Sequence, residues 1–239
     1  MMKVLQDEIR NLEVDEVLDI ATGAGGFIKI LMGGFKNFNH IIGVDTSKKA
    51  LEMGRKNMQD DRIEFKYMSA DRLEFDDSIF DIVSVSNSIH HFKDYSEVFK
   101  EIKRVLKPEG MVIVNEMFCD NQSNAQLSHV YLHHYMAEID TIKGIVHKPT
   151  YKKQEIIDLL EDEGLKIIRS FEVRDEVFKN DEEEKKEIEA LKKLFDKRLK
   201  DIEEHERYDE FVGRARDIRE HLDEYGIDGA TQLVVIAKI

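Results

Sequence analysis

Val17-Leu18-Asp19-Ile20-Ala21-Thr22-Gly23-Ala24-Gly25-Gly26-Phe27 is a short apolar run that enters a glycine-rich turn and then resumes as the start of an amphipathic stretch. The pattern reads as strand, turn and helix. Glycines let the backbone of such a turn pass close to a ligand, and the following helix presents unpaired N–H groups. A nicotinamide dinucleotide is the obvious ligand to weigh, but its G-x-G-x-x-G fingerprint needs a third small residue where this chain has Ile28.

Outward from this turn, β-branched runs alternate with amphipathic stretches. Strands are expected at Glu16–Ile20, His40–Asp45, Arg62–Tyr67, Phe80–Ser86 and Met111–Asn115. Helices are expected at Phe27–Met32, Lys48–Met58 and Tyr95–Leu106. That order predicts an α/β fold, a doubly wound, mostly parallel seven-stranded sheet of Rossmann-like type. The rhythm continues through Lys153–Glu163 and Lys166–Val173, then stops until strand character returns at Gln232–Lys238. Between them run two helical stripes: Ile188, Leu191, Phe195, Leu199 and Ile202, then Tyr208, Phe211, Ala215, Ile218, Leu222 and Tyr225. A helical hairpin, a lid and a dimer arm all fit this insertion, taken as 176–226. A further helix is expected from Ala125 to Ile142, inside a segment 119–149 that reads as a lid over an acceptor site. The whole of 1–239 is read as one domain, because only two prolines occur and no Gly/Ser-rich linker divides it.

Composition narrows the function. A formal charge of −14 opposes attraction to phosphate backbones, which disfavours nucleic acid as a partner. The single cysteine, Cys119, excludes an internal disulfide or a thiolate zinc cluster and fits a reducing cytoplasm. No apolar run reaches the roughly 18 residues of a membrane span, and Met1–Arg10 has no signal-peptide pattern.

Four more segments accompany the glycine turn. Asp45 ends the second strand about twenty residues beyond it, where a carboxylate can accept from both hydroxyls of a ribose. Ser69-Ala70-Asp71 follows the third strand, Ser86-Asn87-Ser88-Ile89-His90-His91-Phe92 the fourth, and Arg104-Val105-Leu106-Lys107-Pro108-Glu109-Gly110 precedes the fifth. In order and spacing the five segments resemble the motifs of class I S-adenosylmethionine-dependent methyltransferases, particularly the small-molecule group that includes the quinone-biosynthesis enzymes. Residues 16 to about 118 carry the resemblance.

The resemblance implies methyl transfer from S-adenosylmethionine to a small-molecule acceptor, leaving S-adenosylhomocysteine. It puts Asp19 near the cofactor's ammonium group, with Ala21, Thr22, Gly23 and Gly25 along its methionine part. Asp45 and Thr46 would hold the ribose, Ala70 and Asp71 the adenine, and Asn87 and Ser88 would lie beside the methionyl end. Ala21 departs from the family, which usually has glycine there. About fifteen residues precede the first strand, too few for the covering helices of many relatives, so the inserted helices are the expected closure of the site.

If the acceptor needs deprotonation, His90 or His91 is the expected general base, and the sequence does not separate them. His129, His133 and Tyr135 are expected at the acceptor pocket. His129 and His133 stand one helical turn apart, yet no metal is expected, since no third ligand is indicated nearby. Other readings compatible with the sequence are a protein or tRNA acceptor, and a non-catalytic cofactor-binding protein that dimerises through the insertion.

Overall fold

The computed structural model describes residues 2–174 and 180–239; positions 176–179 of the expected insertion lie outside them. The chain divides into two compact units. One comprises Met1–Glu116, Gln154–Val173 and Gln232–Ile239, the other Met117–Lys153 and Arg174–Thr231.

The first unit is built on a seven-stranded sheet. In chain order its strands are β1 (Glu13–Ile20), β2 (Asn37–Asp45), β3 (Ile63–Tyr67), β4 (Phe80–Ser86), β5 (Leu106–Met117), β6 (Lys166–Val173) and β7 (Gln232–Lys238). Their spatial order is β3-β2-β1-β4-β5-β7-β6. The pairs β1/β2, β2/β3, β1/β4 and β4/β5 are parallel, whereas β6 and β7 are antiparallel. The expected doubly wound fold is therefore observed, and the strand order reverses between β1 and β4, where such sheets open a crevice at their carboxyl ends.

Helices α1 (Lys3–Ile9), α2 (Gly26–Met32), α3 (Lys48–Asn57), α4 (Tyr95–Val105) and α6 (Lys153–Asp162) accompany these strands, and α5 belongs to the second unit. Ser47 caps α3 by accepting from Ala50 N, and Asp94 caps α4 by accepting from Ser96 and Glu97 N. The sequence pattern gave no hint of α1. Its Leu5 and Ile9 are buried in one cluster with Val17, Ile28, Leu31 and Ile41, so seven residues suffice to cover apolar side chains there. The end of the Arg104–Gly110 segment, expected to precede the fifth strand, belongs to β5 as an irregularity within it: Phe80 pairs with Leu106, but Ile82 pairs with Met111. Pro108 cannot donate to a ladder, which fits that excursion.

The second unit is helical, with α5 (Asn124–Ile142), α7 (Asp181–Lys200) and α8 (Tyr208–Tyr225). A capping box starts α5, the Ser123 hydroxyl accepting from Gln126 N while the Gln126 side chain returns to Ser123 N. The two predicted stripes pack against each other and against Tyr135 and Ile139 of α5. Rings of Tyr135 and Phe195 lie 5.1 Å apart at 67°, and those of Tyr135 and Phe211 5.4 Å apart at 62°. These are the edge-on contacts that aromatic quadrupoles favour. Tyr225, expected in the second stripe, is instead exposed.

Candidate active site

The loops that leave β1, β2 and β4 form the candidate site. Asp19 sits in β1 opposite Gly43 of β2 and Ser84 of β4. Ser84 Oγ donates to Asp19 Oδ1 at 2.6 Å. The second oxygen, Oδ2, is buried with no hydrogen-bond partner among the described residues. Burial pushes the Asp19 carboxyl up to about 6; the Ser84 hydroxyl and the nearby Thr22 hydroxyl oppose this, and the charge of Asp45 adds to it. Thr22 is close enough to be felt without reaching hydrogen-bonding geometry, since its Oγ1 is also unsatisfied. A carboxylate oxygen buried without a donor is costly unless a ligand provides one.

The glycine turn is folded onto the end of β2. Thr22 N donates to Val44 O, Gly25 N to Thr22 O, and Gly23 N to Asp45 Oδ2 at 2.8 Å. Asp45 Oδ1 accepts from Ser47 N at 2.7 Å, so backbone donors hold the carboxylate from both sides. Gly23 has φ +56°, and a Cβ built on it would meet nothing within 4 Å. The side chain is missing where space stands open. Gly25, at φ +79°, is glycine for a second reason, because a Cβ there would press on Met58 and stand 2.9 Å from the ring of Phe65. Ala21 adopts φ +53°, the left-handed conformation in which relatives with glycine pay no steric cost.

Asn87, after β4, is also left-handed, at φ +47°. Its N–H donates to Asn115 O, and its side-chain amide donates to Gln232 Oε1 at 3.2 Å. Thr46 and Asp71 are exposed and Ala70 is half-buried; Ser69 Oγ donates to Asp71 Oδ1 at 2.6 Å.

The structure separates the two histidines that the sequence could not. His91 is exposed, whereas His90 is 3% exposed and its Nδ1 lies 2.6 Å from Glu116 Oε1. Glu116 Oε2 accepts from Ser88 N at 3.0 Å and Ile89 N at 3.1 Å. One buried carboxylate thus fixes both the turn and the imidazole. Sequence reasoning passed over Glu116 and Ser84. The available signals were an acidic residue between the apolar run Val112-Ile113-Val114 and Met117-Phe118, and a hydroxyl interrupting Ile82-Val83-Ser84-Val85.

The remaining expected residues lie in the helical unit. His129 Nδ1 accepts from Ala230 N at 3.1 Å, and burial lowers the pKa of the ring despite Asp228. His133 meets His147 rather than His129. Tyr135, expected to line an acceptor pocket, is fully buried in the aromatic core with its hydroxyl donating to Phe211 O. That placement corrects the expectation, since a side chain sealed among Phe195 and Phe211 does not face a pocket.

A family model described as a methyltransferase domain matches residues 18–114, from Leu18 in β1 to Val114 in β5, and so spans the glycine turn, Asp45, Asn87 and His90. This chain is an S-adenosylmethionine-dependent methyltransferase on the fold of the class I enzymes. Demethylmenaquinone methyltransferase of Thermotoga maritima is 28% identical over 176 residues, covering 69% of this methyltransferase and 75% of the relative. The same-named enzyme of Clavibacter sepedonicus is 34% identical over 103 residues, covering 43% of this methyltransferase and only 41% of the relative. Among solved structures, the phosphoethanolamine N-methyltransferase 2 of Haemonchus contortus, bound to phosphomonomethylethanolamine and S-adenosylhomocysteine, aligns with 99% of this methyltransferase and 51% of that chain at TM-score 0.57 and 18% identity. At that identity the likeness is one of fold.

The residues present fit the cofactor. An unsatisfied carboxylate oxygen awaits a cationic donor at Asp19, open space lies at Gly23, and a braced carboxylate stands beside it at Asp45.

Proposed function

We propose that this methyltransferase methylates a small-molecule acceptor, with its cofactor held at the β1/β4 crevice by Asp19, the turn from Ala21 to Gly25, and Asp45. The buried, unsatisfied Oδ2 of Asp19 carries the reading, because it is a site for a cation that the protein itself does not supply. In this reading Asp19 pairs with the cofactor's ammonium group, and Gly23 and Gly25 let the backbone run along the methionine chain. Asp45, with Thr46 after it, takes the ribose hydroxyls on the lone pairs that Gly23 and Ser47 leave. Ala70 and Asp71 border the adenine, while Asn87 and Ser88 lie at the methionyl end.

Bound S-adenosylmethionine supplies an electrophilic methyl group on a sulfonium. The chain's part is chiefly alignment of the acceptor with that methyl and exclusion of water, effects worth roughly 7–11 kcal/mol together when orientation is good. For an acceptor that loses a proton, His90 is the base of choice over His91. Glu116 accepts at Nδ1, which puts the basic lone pair on Nε2 and stabilises the imidazolium formed when Nε2 takes the proton. A small-molecule acceptor is supported by the names of the quinone-pathway relatives and by the chain's acidic balance.

Calorimetric titration with S-adenosylhomocysteine, with NAD as control, tests the cofactor assignment. Saturable binding of the former alone, weakened at least about 100-fold by Asp45→Ala, is the expected result; two charge-assisted hydrogen bonds at roughly 1.5–3 kcal/mol each account for that factor. A turnover screen over quinol, phenol and amine acceptors then tests the acceptor class, and methylation of protein or tRNA with none of these would overturn it.

A further inference from the structure

The helical unit holds a polar cluster that the methyl-transfer reading does not use. His133 and Asp140 lie seven residues apart on α5, two turns, and so share a face of the helix. Beyond Ile142 the chain reverses at Gly144, φ +80°, with Gly144 N donating to Thr141 O and Ile145 N to Asp140 O. Thr141 Oγ1 donates to His147 O at 3.0 Å. The reversal returns His147 alongside the last turns of α5, where its Nδ1 lies 2.8 Å from Asp140 Oδ2 and its Nε2 3.1 Å from His133 Nε2. The two rings are nearly perpendicular, at 80°, with centroids 4.8 Å apart. Arg198 of α7 pairs with Asp140 as well, and also with Asp201, which binds Lys143. The His147 side chain is 11% exposed and that of Asp140 19%.

We propose that His133 Nε2 and His147 Nε2 are two ligands of a first-row divalent cation, of which zinc is the type, with Asp140 orienting His147 from behind.

Three observations combine. Two imidazoles on one ion with metal–nitrogen bonds of about 2.0–2.1 Å put their nitrogens roughly 2.8–3.4 Å apart, for angles between octahedral and tetrahedral, and the observed 3.1 Å lies in that span. With Asp140 accepting at Nδ1, His147 carries its proton there and directs the Nε2 lone pair at His133. That is the carboxylate–histidine–metal arrangement, in which the outer carboxylate fixes the tautomer and strengthens the ligand. Arg198 pairs with the other carboxylate oxygen of Asp140 and so holds it in place behind His147. A nitrogen-only donor pair suits zinc, cobalt, nickel or copper rather than magnesium or calcium. The sequence places His129 and His133 one helical turn apart with no metal expected, but in the structure His129 is committed to Ala230 N and His133 meets His147. Nothing in this assignment depends on which acceptor is methylated.

The test is titration of the full chain, stripped with chelator, with Zn2+ by calorimetry and with Co2+ followed by visible absorption. One equivalent is expected to bind to the wild-type chain and to raise its thermal midpoint. His133→Gln and His147→Gln should each weaken binding at least about 100-fold, and Asp140→Asn by roughly 10–100-fold as outer carboxylates do. His205→Gln, elsewhere in the same unit, should leave binding unchanged. Circular dichroism without metal checks that each variant folds, and Asp140→Asn keeps the proposal testable if a histidine variant does not. Absence of binding by the wild-type chain, or stoichiometric binding that survives in both histidine variants, would overturn it and leave the 3.1 Å contact as a histidine–histidine hydrogen bond.

Discussion

The two units of this methyltransferase differ in the kind of buried polar atom they leave unsatisfied. In the helical unit, Glu138 of α5 pairs with Arg207 and Arg214, and Asp140 of α5 with Arg198 and His147. The buried atoms without a hydrogen bond there include Arg198 Nε and Arg219 Nε, on guanidinium groups whose other nitrogens reach Asp140 and Asp196. In the sheet unit, Asp19 Oδ2 and Thr22 Oγ1 end buried and unsatisfied beside a turn whose Gly23 opens onto empty space. A guanidinium already paired with a carboxylate braces a scaffold, whereas an acidic oxygen without a donor beside an open turn is what the proposed reading assigns to a ligand.

That contrast can be broken most readily in the helical core. Phe211→Ala removes a ring buried between Tyr135 and α7 and should cost about 3–5 kcal/mol, read as a lower urea midpoint of the helical circular dichroism signal. A loss below 1 kcal/mol would mean that the aromatic cluster is not the core described.

The sheet unit should respond in the other direction. Asp19 has a folded-state pKa of about 6 against an ordinary 3.8, so between these values the unfolded chain releases a proton that the folded chain keeps. Stability therefore falls as pH rises through that window, by about 3 kcal/mol in all at roughly 1.4 kcal/mol per unit. Asp19→Asn should remove this slope and raise the stability of the ligand-free protein at pH 7 by roughly 1–3 kcal/mol, measured by urea unfolding across pH 4–7. A destabilised Asn variant would show that the carboxylate is structural.

Ala21→Gly gives the smallest effect. The left-handed alanine costs about 1–2 kcal/mol, and the extra freedom of glycine in the unfolded chain returns roughly 0.5–1, so a net gain of up to about 1 kcal/mol is expected in the same unfolding experiment.

The units also differ in how far the sequence disclosed them. Strands β4, β6 and β7 were legible to the residue, and the glycine turn with Asp45 was legible because ligand-binding turns draw on a few neighbouring residues of special type. The Asp19–Ser84 and His90–Glu116 contacts were not, since each joins residues 65 and 26 positions apart through strand order and register, which local patterning does not encode. In the helical unit the 3/4 spacing announced α7 and α8 but not their partner. Tyr135 and His133 differ by two positions on α5, so they point to different sides, one into the core and the other toward His147. Only the tertiary packing distinguishes a core tyrosine from a pocket tyrosine.

Central to the proposed reading is Asp19, a buried carboxyl that ionises only at a cost until a cofactor ammonium group pairs with it. Calorimetric titration of S-adenosylhomocysteine into wild type and Asp19→Asn, at pH 5, 6 and 7 and in buffers of different ionisation enthalpy, addresses it most directly. The account predicts affinity that rises with pH in the wild type, proton release on binding near pH 6, and a variant that binds roughly 10–100-fold more weakly at pH 7 with neither effect; equal affinity in the variant, or wild-type binding that is indifferent to pH, would contradict it.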